Sequence, residues 1–285
     1  MNMDRVRSGV LLAVFFLGSL FLLPGPIAMV VLMAAGALAM LEFYALLDSV
    51  GIPHFKKLGV SLGLFLMFGT WLGLQLPPEN AVRYDVSGVL LFLVVAAILL
   101  RQMFTRKNQR PWDAMASTFL GVMYIGFLLN YFTKLLFTFG DSEGRFLVFL
   151  LIVVVKMTDI GAYVVGCGFG RTKLIPKVSP AKTWEGCAGG VASGLIGAVL
   201  VYMFFYQKWG SLDIGLYDII LLAPLLSVFG IIGDLAESLL KRSAGVKDSG
   251  SWIQGMGGFL DVLDSLLFTA PILYIYTRLF MDIIP

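Results

Sequence analysis

Charge is what this sequence has least of. Asp, Glu, Lys and Arg make up 14% of its 285 residues, where an ordinary soluble chain carries about 25%. Hydrophobic residues make up 59% and the mean hydropathy is +0.89, which excludes a soluble globular domain and indicates an integral membrane protein. Histidine is nearly absent, His54 standing alone. The two cysteines, Cys167 and Cys187, form no C-x-x-C pair, so a Cys/His zinc site cannot be assembled and both read as reduced packing residues. There is no G-x-x-x-x-G-K-[ST] phosphate loop, no low-complexity tract and no convincing internal repeat. A cleavable leader is not indicated either. MNMDRVR and the apolar run 9–23 begin like one, but the run ends at Pro24-Gly25-Pro26 without a small-x-small cleavage pattern. The net charge of +3 says little by itself, because in a membrane chain the placement of Lys and Arg matters more than their sum, and no nucleic-acid partner is expected.

What the chain has in abundance is apolar runs. A helix needs about 20 apolar residues to cross a hydrocarbon core. On that ruler nine candidates emerge, near 9–24, 27–47, 58–76, 86–100, 114–138, 146–166, 186–206, 214–233 and 260–280. The fourth is short, and the fifth is long enough to tilt or to end in an interfacial turn. The expected fold class is therefore all-α integral membrane: a polytopic helical bundle of about nine spans, with a range of about eight to ten. Loop charges orient it. With the N-terminus cytoplasmic, the cytoplasmic segments hold fifteen Lys and Arg residues and the opposite face only five, namely Arg83, Lys134, Arg145, Lys208 and Arg278. The expected organisation is a membrane platform over 1–140 and a catalytic region over 141–285, whose polar loops 167–185 and 234–258 face the cytoplasm, where nucleotides are.

The scarce charge is concentrated in 232–267, which holds Asp234, Glu237, Asp248, Asp261 and Asp264 together with Lys241, Arg242 and Lys247. Charge near a bilayer is expensive, so its concentration between two spans points to use. Asp234 and Glu237 are spaced i, i+3, as are Asp261 and Asp264, so each pair can share a helical face. Asp234 closes one span and Asp261 opens the next, which puts them at similar depth. Hard oxygen donors with no His or Cys beside them suit Mg²⁺ rather than zinc. Lys241, Arg242 and Lys247 are placed to meet phosphate oxygens. Gly255, Gly257 and Gly258 allow tight turns. Upstream, Ser179-Pro180 reads as a helix N-cap followed by proline, with Lys182 and Thr183 in the first turn, where a lysine makes sense if an anion binds there. A solvated cationic loop is the competing reading. Lys156 and Asp159 form either a structural ion pair or part of a polar cavity. Glu42 reads as structural or interfacial.

The stretch resembles the C-terminal motif of the phosphatidate cytidylyltransferases (CDP-diacylglycerol synthases), S-x-x-K-R-x4-K-D followed after a short loop by H-G-G-x-x-D-R-x-D. Ser238, Lys241-Arg242, Lys247-Asp248, Gly257-Gly258, Asp261 and Asp264 stand at matching spacing. TDIGAYVVG at 158–166 and SPAKTWEG at 179–186 resemble family segments in the same order. The resemblance covers roughly residues 155–270. Three motif positions depart from it: Met256 replaces the histidine, Gln254 a proline and Val262 the arginine. Lys156 also stands where a neutral residue is expected.

The resemblance implies attack of a phosphatidic acid phosphate on the α-phosphorus of CTP, giving CDP-diacylglycerol and pyrophosphate. That nucleophile is ionised at neutral pH, so loss of the histidine does not remove a required general base. It further implies Mg²⁺ as cofactor and allows K⁺ beside it. Asp234 and Asp261 become the expected main metal ligands, with Asp264 and Asp248 secondary. Lys241, Arg242 and Lys247 would engage the triphosphate or the lipid head group, with Ser238, Gly257 and Gly258 around them. Lys173, Ser179, Lys182 and Thr183 would complete a phosphate cradle. The expected location is the inner membrane, multi-pass, with the active site on the cytoplasmic side. The oligomeric state is left open, a homodimer included. Two rivals are a CTP-dependent polyprenol or phytol kinase and, from another class, an ion-coupled transporter. A transporter predicts charge at mid-membrane and paired repeat halves, whereas this chain gathers its charge on one face.

Overall fold

In a bilayer no water is at hand to satisfy backbone N–H and C=O groups, so uncharged runs of Leu, Val, Ile, Phe and Ala become helices. The computed structural model describes residues 18–19, 21–76, 86–105, 109–205, 212, 214–252 and 257–280. Among them are the helices α1 (Gly25–Ser49), α2 (Lys56–Leu74), α3 (Val86–Met103), α4 (Pro111–Gly121), α5 (Leu128–Thr138), α6 (Asp141–Phe169), α7 (Trp184–Phe205), α8 (Leu216–Ser243) and α9 (Phe259–Phe280). A π-helical segment, Val122–Phe127, joins α4 to α5, making one span of Pro111–Thr138. Eight segments among the described residues are long and apolar enough to cross a membrane, and they match eight of the nine expected spans. The protein is an all-α polytopic membrane protein. The first expected span, 9–24, falls mostly outside the described residues, as do Arg5, Arg7, Arg83, Arg106, Lys107, Lys208, Gln254 and Met256.

Two compact units are present: Met1–Lys134 with Asp248–Asp261, and Leu135–Lys247 with Val262–Pro285. In the first, the core is built on α1 around Met40, Phe43 and Tyr44, with Leu66, Met67, Ile125 and Leu129, all essentially unexposed. Tyr44 donates its hydroxyl hydrogen bond to the Thr118 carbonyl at 2.9 Å. Helix packing in a membrane relies on close backbone approach through small residues. Here Gly126, inside the π-helical segment, presses against Gly63 so tightly that a Cβ on it would lie 2.7 Å from the Gly63 Cα. The long fifth span thus carries a π-helical segment in its interior.

In the second unit, α6, α7 and α8 pack through the same device. Thr158 donates to Ser227 at 2.8 Å across α6 and α8, and Gly194 of α7 fits beside both side chains. Leu147, Leu151, Val154, Leu226 and Leu267 fill the interior.

Two expected loops differ from their sequence reading. In 167–185 the chain forms a short antiparallel hairpin, β1 (Lys173–Ile175) with β2 (Ser179–Thr183), in which Lys173 pairs with Thr183 and Ile175 with Ser179. Ser179 is therefore in a strand and not a helix N-cap. Helix α7 begins four residues later than the Ser179-Pro180 reading expects, because Thr183 takes the capping role: its Oγ1 accepts the Gly186 N–H at 3.1 Å. The Glu185 carboxylate accepts the N–H groups of Arg171 and Thr172, both at 3.1 Å, and closes the base of the hairpin. In 234–258 the expected loop is helical as far as Ser243, since α8 continues through Asp234, Glu237 and Lys241. Those charges sit at i, i+3 and i+7, on one face that can pair internally, so no loop is needed to hold them.

Candidate functional site

The second unit gathers charge along α8. Asp234, Glu237 and Asp264 each offer a carboxylate oxygen, and these oxygens lie within 4.8 Å of one another. Glu237 is fully buried, Asp264 is 8% exposed and Asp234 is half-buried. Three acids so close repel one another unless cations intervene. Two lysines do so in part. Lys182 of β2 brings its Nζ within 2.7 Å of Asp234 Oδ2, and Lys241, one turn along α8, pairs with Glu237 at 2.5 Å. Asp264 forms no ion pair among the described residues, and its Oδ1 accepts the Ser265 N–H. Ser238 Oγ donates to Asp234 Oδ1 at 3.3 Å. Lys156 lies 3.7 Å from Asp159 on α6, both side chains about half exposed, and the charges of Lys156, Asp159, Lys182, Asp234 and Asp264 fall within electrostatic reach of one another. A close set of hard oxygen donors, with neither nitrogen nor sulfur among them, has the chemistry that Mg²⁺ takes.

Close approach makes this arrangement possible. At Gly233 a Cβ would lie 2.6 Å from the Asp264 carbonyl oxygen and 3.1 Å from the Ser265 Cα, so α8 and α9 meet backbone to backbone beside the acids. Any larger residue would spread the carboxylates apart.

The first unit uses its motif residues differently. Asp261 Oδ2 accepts hydrogen bonds from Ser249 N at 3.0 Å, Ser249 Oγ at 2.8 Å and Gly258 N at 2.7 Å. Gly258 precedes α9 and Asp261 is its third residue, so the last bond is half of a capping box. Gly257 has φ +96°, in the left-handed region that favours glycine. A Cβ on Gly258 would lie 2.2 Å from Glu42 Oε2. The glycine pair in the motif is thus required by the turn that starts α9.

Of the residues the sequence singled out, the structure groups Asp234, Asp264, Lys182, Lys241 and Ser238 within the second unit. Asp261 and Gly258 sit together in the first, with Gly257 against the Asp261 carboxylate. Lys173 is exposed on β1, Ser179 is half-buried and Thr183 is buried at the start of α7. Arg242 donates to the Val246 carbonyl at 3.0 Å, and Lys247 and Asp248 are exposed in the segment after α8. The acid that the sequence reading passed over as a site residue is Glu237. Its signal was present, three residues after Asp234 and four before Lys241. His54 is occupied locally, its Nδ1 2.9 Å from the Ile52 carbonyl and its Nε2 3.5 Å from Asp48. The shallow cavity it lines, with Phe55 and Thr105, contains none of the motif residues.

A model of the cytidylyltransferase family matches 3–280. A phosphatidate cytidylyltransferase of Bacillus subtilis (strain 168) is 36% identical over 280 residues, covering 97% of this chain and 98% of that one. That of Staphylococcus saprophyticus is 34% identical over 238 residues, 83% of this chain and 86% of its own. That of Brucella suis is 34% identical over 251 residues, 82% and 87% respectively.

Proposed function

This chain belongs to the cytidylyltransferase family, and on that premise we propose that it is a phosphatidate cytidylyltransferase, converting CTP and phosphatidic acid into CDP-diacylglycerol and pyrophosphate. One observation carries the reading. Ser238 and Lys241 of the family motif share a face of α8 with Asp234, and Asp264, also of the motif, joins Asp234 and Glu237 in one cluster.

A phosphatidate oxygen attacks the α-phosphorus of CTP, the bond to the β-phosphate oxygen breaks, and pyrophosphate departs. The nucleophile is already anionic, so the work is positioning and charge neutralisation. Asp234 and Asp264, with Glu237 beside them, would hold Mg²⁺. Asp261, three residues before Asp264 on α9, is the further acid on that helical face, and K⁺ is the second cation expected. A divalent cation bound there supplies neutralisation of phosphate charge and stabilisation of the leaving group. Lys182, held at Asp234, would transfer its charge to an incoming phosphate, and Arg242 in the last turn of α8 and Lys247 just after that helix would meet the triphosphate. Lys241 stays with Glu237 and keeps that buried carboxylate neutralised. The lipid enters sideways, its acyl chains remaining among the apolar helices. The loops that carry Lys and Arg face the cytoplasm, with the protein in the inner membrane, because CTP is supplied from that side.

The test is an assay on purified protein in detergent with phosphatidic acid, Mg²⁺, K⁺ and labelled CTP. Label from the α-phosphate should enter the lipid phase in a metal-dependent way, with release of pyrophosphate. Label entering only from the γ-phosphate would replace this reading with a lipid kinase.

A further inference from the structure

We propose that Glu42, in α1, is a positioning residue for this reaction: it fastens Ser249 and the start of α9 at Phe259 and Leu260 and, through Ser249, sets the Asp261 carboxylate. The proposal rests on the cytidylyl-transfer reading above.

Glu42 lies within an apolar span and is 4% exposed, where a carboxylate without partners is costly. Among the described residues it has three donors, all more than 200 positions further along the chain. Phe259 N donates to Oε1 at 3.0 Å, and Leu260 N at 2.9 Å and Ser249 Oγ at 3.2 Å approach Oε2. The two N–H groups open α9 and have no partner within their own helix, and a negative charge suits that end of the helix dipole. The cage is tight, because a Cβ on Gly250 would lie 2.6 Å from Oε1 and one on Gly258 2.2 Å from Oε2.

Ser249 makes the arrangement more than a helix cap. Its Oγ stands 2.8 Å from Asp261 Oδ2 as well as 3.2 Å from Glu42 Oε2, so one hydroxyl hydrogen lies between two carboxylates. A cap that only stabilised α9 is ordinarily supplied by a Ser, Thr, Asp or Asn just before the helix, where this chain has Gly258. Supplying it from α1 ties the start of the helix, and the rotamer of its motif aspartate, to a separate rigid element. Groups that orient a reacting or metal-holding carboxylate work in this way.

The experiment compares wild type with Glu42→Gln, which keeps the volume but turns an NH₂ group towards N–H donors. The kcat for label transfer from CTP should fall by about tenfold or more, with KM for CTP changed less than about twofold. Independently of activity, trypsin cleavage after the exposed Lys247 should quicken by about fivefold, while cleavage after Lys177 in the hairpin turn should not. Ser249→Ala leaves the Glu42 charge in place and should lower kcat by a smaller factor. The double variant should be no slower than Glu42→Gln alone. A kcat within about twofold of wild type in Glu42→Gln overturns the proposal, as does equal acceleration of cleavage at both lysines. If Glu42→Gln does not fold, a wild-type kcat in Ser249→Ala overturns it. Wild-type protein that transfers no label sinks the activity reading instead, and the protease comparison then still reports whether Glu42 anchors the segment.

Discussion

The motif acids fall into two regions that treat negative charge in opposite ways. Along α8, Asp234 and Glu237 are each paired with a lysine, and Asp264 stands beside them without an ion pair among the described residues. At the start of α9, Glu42 of α1 and Asp261 are satisfied by backbone N–H groups and one serine. Carboxylates saturated by fixed donors make a scaffold. Carboxylates crowded together and only partly balanced by lysines have the donor chemistry that suits a divalent cation.

Breaking the α8 region should have the larger consequences. Asp234→Asn removes one charge from the cluster and the anchor of Lys182, and should lower transfer by about a hundredfold or more while leaving the protein folded and inserted. Undiminished kcat in that variant would remove Asp234 from the site. Lys241→Met strands Glu237 without its cation in a fully buried position. Losing one partner of a buried pair costs about 3–5 kcal/mol, so thermal unfolding in detergent should fall sharply. Adding Glu237→Leu to that variant should recover much of the loss, because two apolar groups need no compensation; failure to recover would mean the pair does more than neutralise itself.

The scaffold region should respond more mildly. Gly258→Ala forces a methyl group against Glu42, and overpacking of this kind costs about 1–3 kcal/mol, read as a lower melting temperature with a modest loss of kcat. An unchanged melting temperature would show that Glu42 can move aside. The smallest effect is expected from Met256→His, which restores the residue that the motif carries at that position. It should raise kcat by about a few-fold at most, since the phosphate nucleophile is already ionised; no rise at all would mean the site no longer uses that position.

Spans and motif spacing were legible because both are local. A run of about 20 apolar residues has one solution in a bilayer, and fixed intervals between charged residues survive any packing. Local reading failed where a polar segment had two competing partners. Ser179-Pro180 carries the signature of a helix start, yet the residues form a strand, because the hairpin pairs Ile175 with Ser179 and Thr183 supplies the cap instead. The charges after Asp234 look like a loop on hydropathy, but pairing between Glu237 and Lys241 keeps them helical.

The amino-acid sequence by itself determined that this chain crosses the membrane many times and that its scarce charge is concentrated in 232–267. Only the tertiary structure decided which of those acids share one space. Asp264 joins Asp234 and Glu237 because Gly233 lets α8 and α9 touch. Glu42 reaches the start of α9 across 217 positions of sequence, a contact that no spacing rule encodes, since it depends on how helices pack and not on the order in which they are written.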